Sequence, residues 1–359
     1  MSEKQTFLKD KSYGFVPFIQ TCKQTKGLDQ RTFADNTYSG KLKLKLTTQT
    51  PLHIGSGIVV CNEDGEVLHK TMRRNNTIII PGSSFKGVVR GIFEAVSFSC
   101  GVKLPDPRVR DLEQALPKKN RFPCNKLQFM CPTCSTFGMA TRDENYRGKV
   151  NFGEFMSDGN VKTSSIELVQ QESPFRNYPE KHDVFLQGNY GNERLYYCMA
   201  CDSGDCGTCE KQNYRSKVNE AGRKREMKFR GRKFYYTDKR EVNTNQEEKE
   251  PKMTCIEMVD QDTSFTGEVV FQNITESELK ILAYALNIGK HFNMKLGYGK
   301  PFGFGLVGVE LIDVENLMSR YTGVKGLTCE EVEQKALQYK ENCEPEIKEA
   351  IQRLEQIMG

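Results

Sequence analysis

Leu42, Leu44 and Leu46 alternate with Lys41, Lys43 and Lys45, the period-two pattern of a strand buried on one face. Ile78, Ile79 and Ile80 end a second, buried strand, and Pro81-Gly82 turns it. Phe85, Val88, Val89, Ile92, Phe93 and Val96 then recur at offsets of three and four. That spacing predicts a helix over residues 84–98, with Ser83 or Ser84 as its cap. Arg147 to Phe155 reads as a further strand, and Phe265, Gly267, Val269 and Phe271 alternate in another. Thr275 and Glu278 form a capping box for a helix carrying Leu279, Leu282, Ala283 and Leu286. Val307, Val309 and Leu311 mark a last strand. With insertions set aside, the order is strand, helix, strand, strand, helix, strand. It predicts an α+β fold with a ferredoxin-like (RRM-like) βαββαβ core.

The same pattern divides the chain into an N-terminal extension, 1–38, and a first half-core, 39–156, which carries an insertion with Cys124, Cys131 and Cys134. A large cysteine-containing basic insertion, 157–263, separates it from a second half-core, 264–312, with a glycine-rich loop. Residues 313–359 form a helical extension. There Thr328 and Glu331 cap one helix, and Pro345 starts another with Ile347, Ile351, Leu354 and Met358 on one face.

A chain of 359 residues supports a sizeable core, and 37% hydrophobic with 28% charged residues is a globular balance. No apolar run reaches membrane-spanning length, and the N-terminus lacks the apolar core of a secretory signal, so a cytoplasmic location is expected. The net charge of +5 is segregated: 12 Lys/Arg against 3 Asp/Glu from Lys211 to Arg240, 6 against 11 from Glu310 to Gly359. The basic segment suits a polyanion, the acidic one solvent or a protein neighbour.

Thirteen cysteines in such a compartment are not expected to form disulfides. Cys198, Cys201, Cys206 and Cys209 stand as C-x2-C-x4-C-x2-C, two knuckles that can place four thiolates around a structural zinc, with an iron–sulfur cluster as the alternative. Zinc would staple an insertion with little core of its own. Cys124, Cys131 and Cys134 form a second, incomplete group; Cys100 is the expected fourth ligand, an aspartate or a distant histidine the alternatives. Cys22, Cys61, Cys255, Cys329 and Cys343 read as small core or surface residues.

The start of the first helix offers free amides beside Lys86 and Arg90, a generic anion site. It is not a nucleotide-binding P-loop. Gly82 and Gly87 have the spacing, but Val88 and Val89 stand where lysine and a hydroxyl are required. A second anion-suited stretch, KLGYGKPFGFGLV, runs from Lys295 to Val307. Its Lys295, Lys300 and the amides around Gly299 and Gly303 suit phosphates, while Phe302 and Phe304 can stack bases or belong to the core. It partly resembles the RNA-reading strand of RNA-recognition motifs, with Pro301 in the second position.

TPLHIGSG (50–57), IPGSSFKGVVR (80–90), CPTCSTFG (131–138), YRGKVNFGE (146–154) and GYGKPFGFGLV (297–307) occur in this order. The series resembles the CRISPR-associated RAMP superfamily, subunits of class 1 RNA-guided complexes. YGFVPF (13–18) and RGRKFYY (230–236) are further similar to the type III-D / type VII branch. The resemblance implies a backbone subunit that polymerises along a crRNA and holds complementary target RNA in antiviral defence. Its partners would be further copies of itself and other CRISPR-Cas subunits, a 5′-handle-binding subunit and a separate nuclease among them. Lys86, Arg90 and Lys300 would neutralise phosphates, with Ser83, Ser84 and loop amides donating, while base pairing reads sequence. The region of Arg230, Arg232 and Lys233 would supply the family's hairpin thumb or hold RNA. Type III relatives cut target RNA with a loop aspartate and a divalent metal such as Mg2+. Asp64 and Glu66 are the candidates here, but their surroundings depart from the active pattern, which favours a non-cleaving scaffold. A stand-alone single-stranded RNA binder is the remaining alternative.

Overall fold

The computed structural model describes residues 13–19, 21–28, 30–61, 67–100, 124–142, 144–159, 161–169, 231–237, 253–317 and 326–359. A short strand, β1 (Tyr13–Val16), precedes β2 (Tyr38–Thr48), whose three leucines face inward. A run of strands follows: β3 (Gly55–Cys61), β4 (Val67–Thr71), β5 (Arg73–Arg74) and β6 (Thr77–Ile80). Helix α1 spans Gly82–Ala95, and the short α2 spans Pro132–Phe137. Next come β7 (Gly138–Ala140), β8 (Asn145–Arg147), β9 (Val150–Phe152) and β10 (Phe155–Ser157). They are followed by β11 (Thr163–Val169), β12 (Arg232–Tyr235), β13 (Met253–Val259) and β14 (Ser264–Ile274). Helix α3 (Glu276–Ala285), β15 (Met294–Lys295) and β16 (Leu306–Asn316) lead to α4 (Cys329–Asn342) and α5 (Pro345–Met358).

The main sheet runs β15-β16-β2-β14-β10-β6-β5, with β9 also paired to β14. Its four central members come from the fourth, first, third and second positions of the predicted series, and each pairs antiparallel with its neighbour. Phe85, Val89, Ile92 and Phe93 of α1 and Leu279, Leu282 and Ala283 of α3 bury against Leu42, Leu44, Leu46, Phe265, Val269 and Phe271 in one core. A second sheet, β11-β13-β4-β3, contains the ends of the large insertion, and a two-stranded ribbon pairs β1 with β12. The fold is mixed α+β.

Both predicted capping boxes are present, Thr275 with Glu278 and Thr328 with Glu331. The cap of α1 is a correction. Its N-cap is Pro81, without a side-chain bond, so Ser83 and Ser84 lie inside the first turn. The reason is packing: a Cβ on Gly82 would stand 2.1 Å from the Phe152 carbonyl oxygen, and it is this glycine, two residues before the expected start, that opens the helix against the break between β9 and β10. That break is a second correction. The strand expected over 147–155 is broken: Arg147 ends β8, and β9 and β10 are separate because Gly153 donates its amide to the Glu268 carbonyl at 2.8 Å and the pairing shifts.

Candidate metal centre and nucleic-acid interface

Cys100 follows α1, Cys131 caps α2, Cys134 lies in the first turn of α2, and Cys124 sits a few residues before them. Their sulfurs all lie within 4.8 Å of one another, and all four residues are buried. Cys100 Sγ is 3.7 Å from Cys134 Sγ, against roughly 3.8 Å for two corners of a tetrahedron with metal–sulfur bonds near 2.3 Å. The backbone donates into the group: Cys131 N–H to Cys124 Sγ at 3.2 Å and Cys134 N–H to Cys131 Sγ at 3.4 Å. Gln24 Nε2 adds a donor to Cys124 Sγ at 3.4 Å. Hydrogen bonds from Cys100, Cys124, Cys134 and Cys22 pull the Cys131 thiol far below its ordinary value. Contacts with the neighbouring sulfurs, then burial, push Cys134 up. Thiolates crowded this closely repel unless a cation neutralises them, and donors aimed at sulfur suit thiolates. The residues therefore fit a tetrahedral, all-sulfur metal such as zinc, with Cys100 the expected fourth member.

A polar chain leads outward from the centre. Ser97, Ser99 and Thr133 link hydroxyl to hydroxyl at 2.7 and 2.5 Å, tying the end of α1 to α2. Arg232 Nη2 donates to the Cys100 carbonyl at 3.0 Å, and its Nη1 meets Glu94 at 2.5 Å. Glu94 also takes Arg90 Nε at 2.9 Å. Of the predicted phosphate-binding cations, Arg90 and Arg232 thus share one carboxylate beside the cysteines.

The glycine-rich loop folds onto the segment after β2. Gly305 donates to the Pro51 carbonyl at 2.9 Å, Tyr298 to the His53 carbonyl at 2.9 Å, and Leu296 to the Gly305 carbonyl at 2.7 Å. At Gly305, φ is +78° and a Cβ would lie 1.9 Å from the Leu296 oxygen, so no other residue fits. Two motifs far apart in sequence, TPLHIGSG and GYGKPFGFGLV, are therefore one structural unit. Gly299 and Gly303, both with positive φ, bracket the single turn Lys300–Phe302. Phe302 and Phe304 pack with Tyr298 against Ile256 and Met258, while remaining half-buried. Burial pushes the Lys300 ammonium down. Lys295 is buried and donates to the carbonyls of Tyr236 and, at 3.0 Å, Lys300.

Under this unit lies a charge network absent from the sequence reading. Glu257 accepts from Arg73 Nη1 at 2.6 Å and Nη2 at 2.8 Å, from Lys70 at 2.8 Å and from Thr71 N–H at 3.0 Å. Burial pushes its carboxyl up, but these donors outweigh it and hold it at about 2. The Glu257 carbonyl faces His53 Nδ1 at 2.7 Å, and burial lowers that imidazole's pKa.

The ribbon joins the two places. Arg232, at one end of β12, binds Glu94 and Cys100, and Tyr236, just past the other end, binds Lys295. Lys233 Nζ stands 4.0 Å above the Tyr13 ring, and Arg353 of α5 donates to the Phe15 carbonyl at 3.2 Å. Ser83 is exposed, and Ser84 and Lys86 are half-buried on α1. Cys198, Cys201, Cys206, Cys209, Arg230, Asp64 and Glu66 lie outside the described residues.

Comparison with protein-family profiles matches residues 45–308 to the RAMP superfamily. The chain belongs to the RAMP superfamily. Membership makes it a CRISPR-associated protein of an RNA-binding family, and the match runs from within β2 to the start of β16. No curated protein matches the chain. Among the described residues of this RAMP protein, no helix is long and apolar enough to cross a membrane.

Proposed function

We propose that this RAMP protein is a backbone subunit of a class 1 CRISPR effector complex of the type III-D / type VII-like branch. Copies of it coat a crRNA through α1 and the glycine-rich loop, leaving the guide bases free for complementary target RNA. The observation that carries the reading is the family match together with the docking of 296–305 on 51–54, which brings Lys300 and the amides around it beside the segment after β2. Ser83, Ser84 and Lys86 are the contacts expected from α1, and Lys233 from the ribbon. The cysteine centre, holding zinc, is structural: all four ligands are protein sulfurs, so no position is open for water.

One observation argues against a stand-alone binder of the RNA-recognition type. Such proteins stack bases on rings across the open sheet face. Here the exposed face of the two central strands carries Lys41, Lys43, Lys45 and Thr47 on β2 and Ser264, Thr266, Glu268 and Val270 on β14. Glu310, Asp313 and Glu315 of β16 stand in register with those lysines, and Lys41 pairs with Glu315 at 3.1 Å.

The test is co-expression with a matching repeat–spacer array, followed by sizing and sequencing of the bound RNA. Discrete guide RNA on a particle much larger than the monomer is the expected result; a monomer free of guide RNA, from cells that made it, would overturn the reading. Adding a complementary RNA to the same particle, with Asp64→Ala and Glu66→Ala variants beside it, separates a scaffold from a cutting subunit.

A further inference from the structure

We infer that Cys22 is an oxidation site of the cysteine centre: a fifth thiol that forms a disulfide with Cys131 when a hydroperoxide reaches the metal-bound sulfurs, and so releases the metal. The inference rests on the metal reading of Cys100, Cys124, Cys131 and Cys134. Those four are buried, whereas Cys22 is half-buried on the N-terminal segment that lies across them. That segment is pinned on both sides of the centre. Lys23 donates its amide to the Phe98 carbonyl at 3.2 Å, and Thr25 and Met130 exchange backbone hydrogen bonds at 2.9 and 2.8 Å. Cys22 is thereby packed against the four cysteines, and the pairing of Thr25 with Met130 brings its segment alongside Cys131, the next residue in the chain. Four thiolates complete a tetrahedral site. A fifth thiol in contact with one of them adds nothing to coordination, but it is placed to capture that sulfur once oxidised.

The step balances. The Cys131 thiolate attacks the hydroperoxide, the O–O bond breaks, and hydroxide or alkoxide leaves and takes a proton from solvent. The Cys22 sulfur then attacks the resulting sulfenic acid; its proton departs with the oxygen as water. Two sulfurs lose two electrons and the peroxide gains them. Cys131 no longer carries charge for the metal, and three ligands remain.

The experiment exposes the zinc-loaded full-length protein to hydrogen peroxide, reads released zinc with a chromogenic chelator, and maps disulfides by non-reducing peptide mass spectrometry. The expected result is zinc release together with a Cys22–Cys131 disulfide, reversed by dithiothreitol plus zinc. Cys22→Ser should keep its zinc and melting point before oxidant, then release zinc several-fold more slowly. If Cys22→Ser disturbs the fold, Cys22→Ala and the disulfide map of the parent protein carry the test. Equal release rates in parent and variant, or disulfides confined to Cys100, Cys124, Cys131 and Cys134, would overturn the inference. Protein purified without zinc, and unable to take it up, would instead fail the metal reading. The pairing is then judged on the peroxide-treated chain, where a Cys22–Cys131 bond supports it and any other pattern refutes it.

Discussion

Behind the main sheet, α1 and α3 bury phenylalanines, leucines, isoleucines and valines drawn from most of the chain. Around α2 the buried cluster is Met130 and four cysteines, with Cys22, Met139 and Tyr146 at its edge. Apolar burial stabilises by roughly 25 cal/mol per Å2, so the first region holds itself, while one methionine among sulfurs does not. The α2 region joins the main core through Phe137, while its cysteine cluster is suited to a metal cross-link and also touches the residues that position its neighbours. Arg232 leans on the Cys100 carbonyl, and through it the ribbon reaches Lys295 and the glycine-rich loop.

The largest effect should come from removing the cross-link. Chelation, or Cys134→Ser, is expected to cost most of the roughly 10 kcal/mol or more that a structural zinc contributes to local folding. Hydrogen exchange should then rise across 124–147 and at Ser97–Cys100 while β2 and β14 stay protected; uniform loss of protection would mean that the two regions fold as one unit. The converse break lies inside the apolar core, where Lys149 Nζ meets Glu278 at 2.7 and 2.9 Å, both side chains buried. Lys149→Met should destabilise by about 3–5 kcal/mol in urea melts, because it strands a buried carboxylate. Adding Glu278→Gln should recover part of that loss.

Gly305→Ala should be smaller, about 1–3 kcal/mol of strain from a left-handed backbone, and should detach the loop from Pro51 with weaker RNA binding by the assembled particle. Unchanged affinity would remove the loop from the interface.

Acid sharpens the comparison differently. Glu257 is held at about 2 against an ordinary 4.5, so its contribution is present above 4.5 and is lost as pH falls through about 2. Glu257→Gln should flatten that acid limb in melting experiments without changing metal content. The smallest effect is expected from Thr328→Ala, about 1 kcal/mol, since it removes one cap at the edge of the molecule.

Much of the fold was readable along the chain. β2, β14 and β16 each keep one face apolar at period two, and both capping boxes need only residues three apart. The fourth cysteine of the centre was readable as well, because Cys100 sits where α1 ends. The rest was not, for reasons of geometry. Glu278 reads as a cap and also neutralises a buried lysine from β9's approach, a partner 129 positions away. Arg90 and Lys295 read as cations for phosphate. Lys295 meets the Tyr236 carbonyl, a partner brought by the packing of β12, whereas Arg90 meets Glu94 one helical turn away, a pair that the spacing along α1 already offers.

By itself, the sequence determined the local chemistry: strand periodicity, both capping boxes, glycines where the backbone turns left-handed, and the close spacing of Cys131 and Cys134. Those properties depend on residues within a few positions of one another, so the chain carries them in any context. The tertiary structure alone decided that Arg232 and Lys295 are spent on a distant carboxylate and carbonyls, that neither Ser83 nor Ser84 caps α1, and that a glycine-rich loop and a distant HIG segment form one unit. Those outcomes depend on which elements the sheet brings to hydrogen-bonding distance, and no local pattern records that distance.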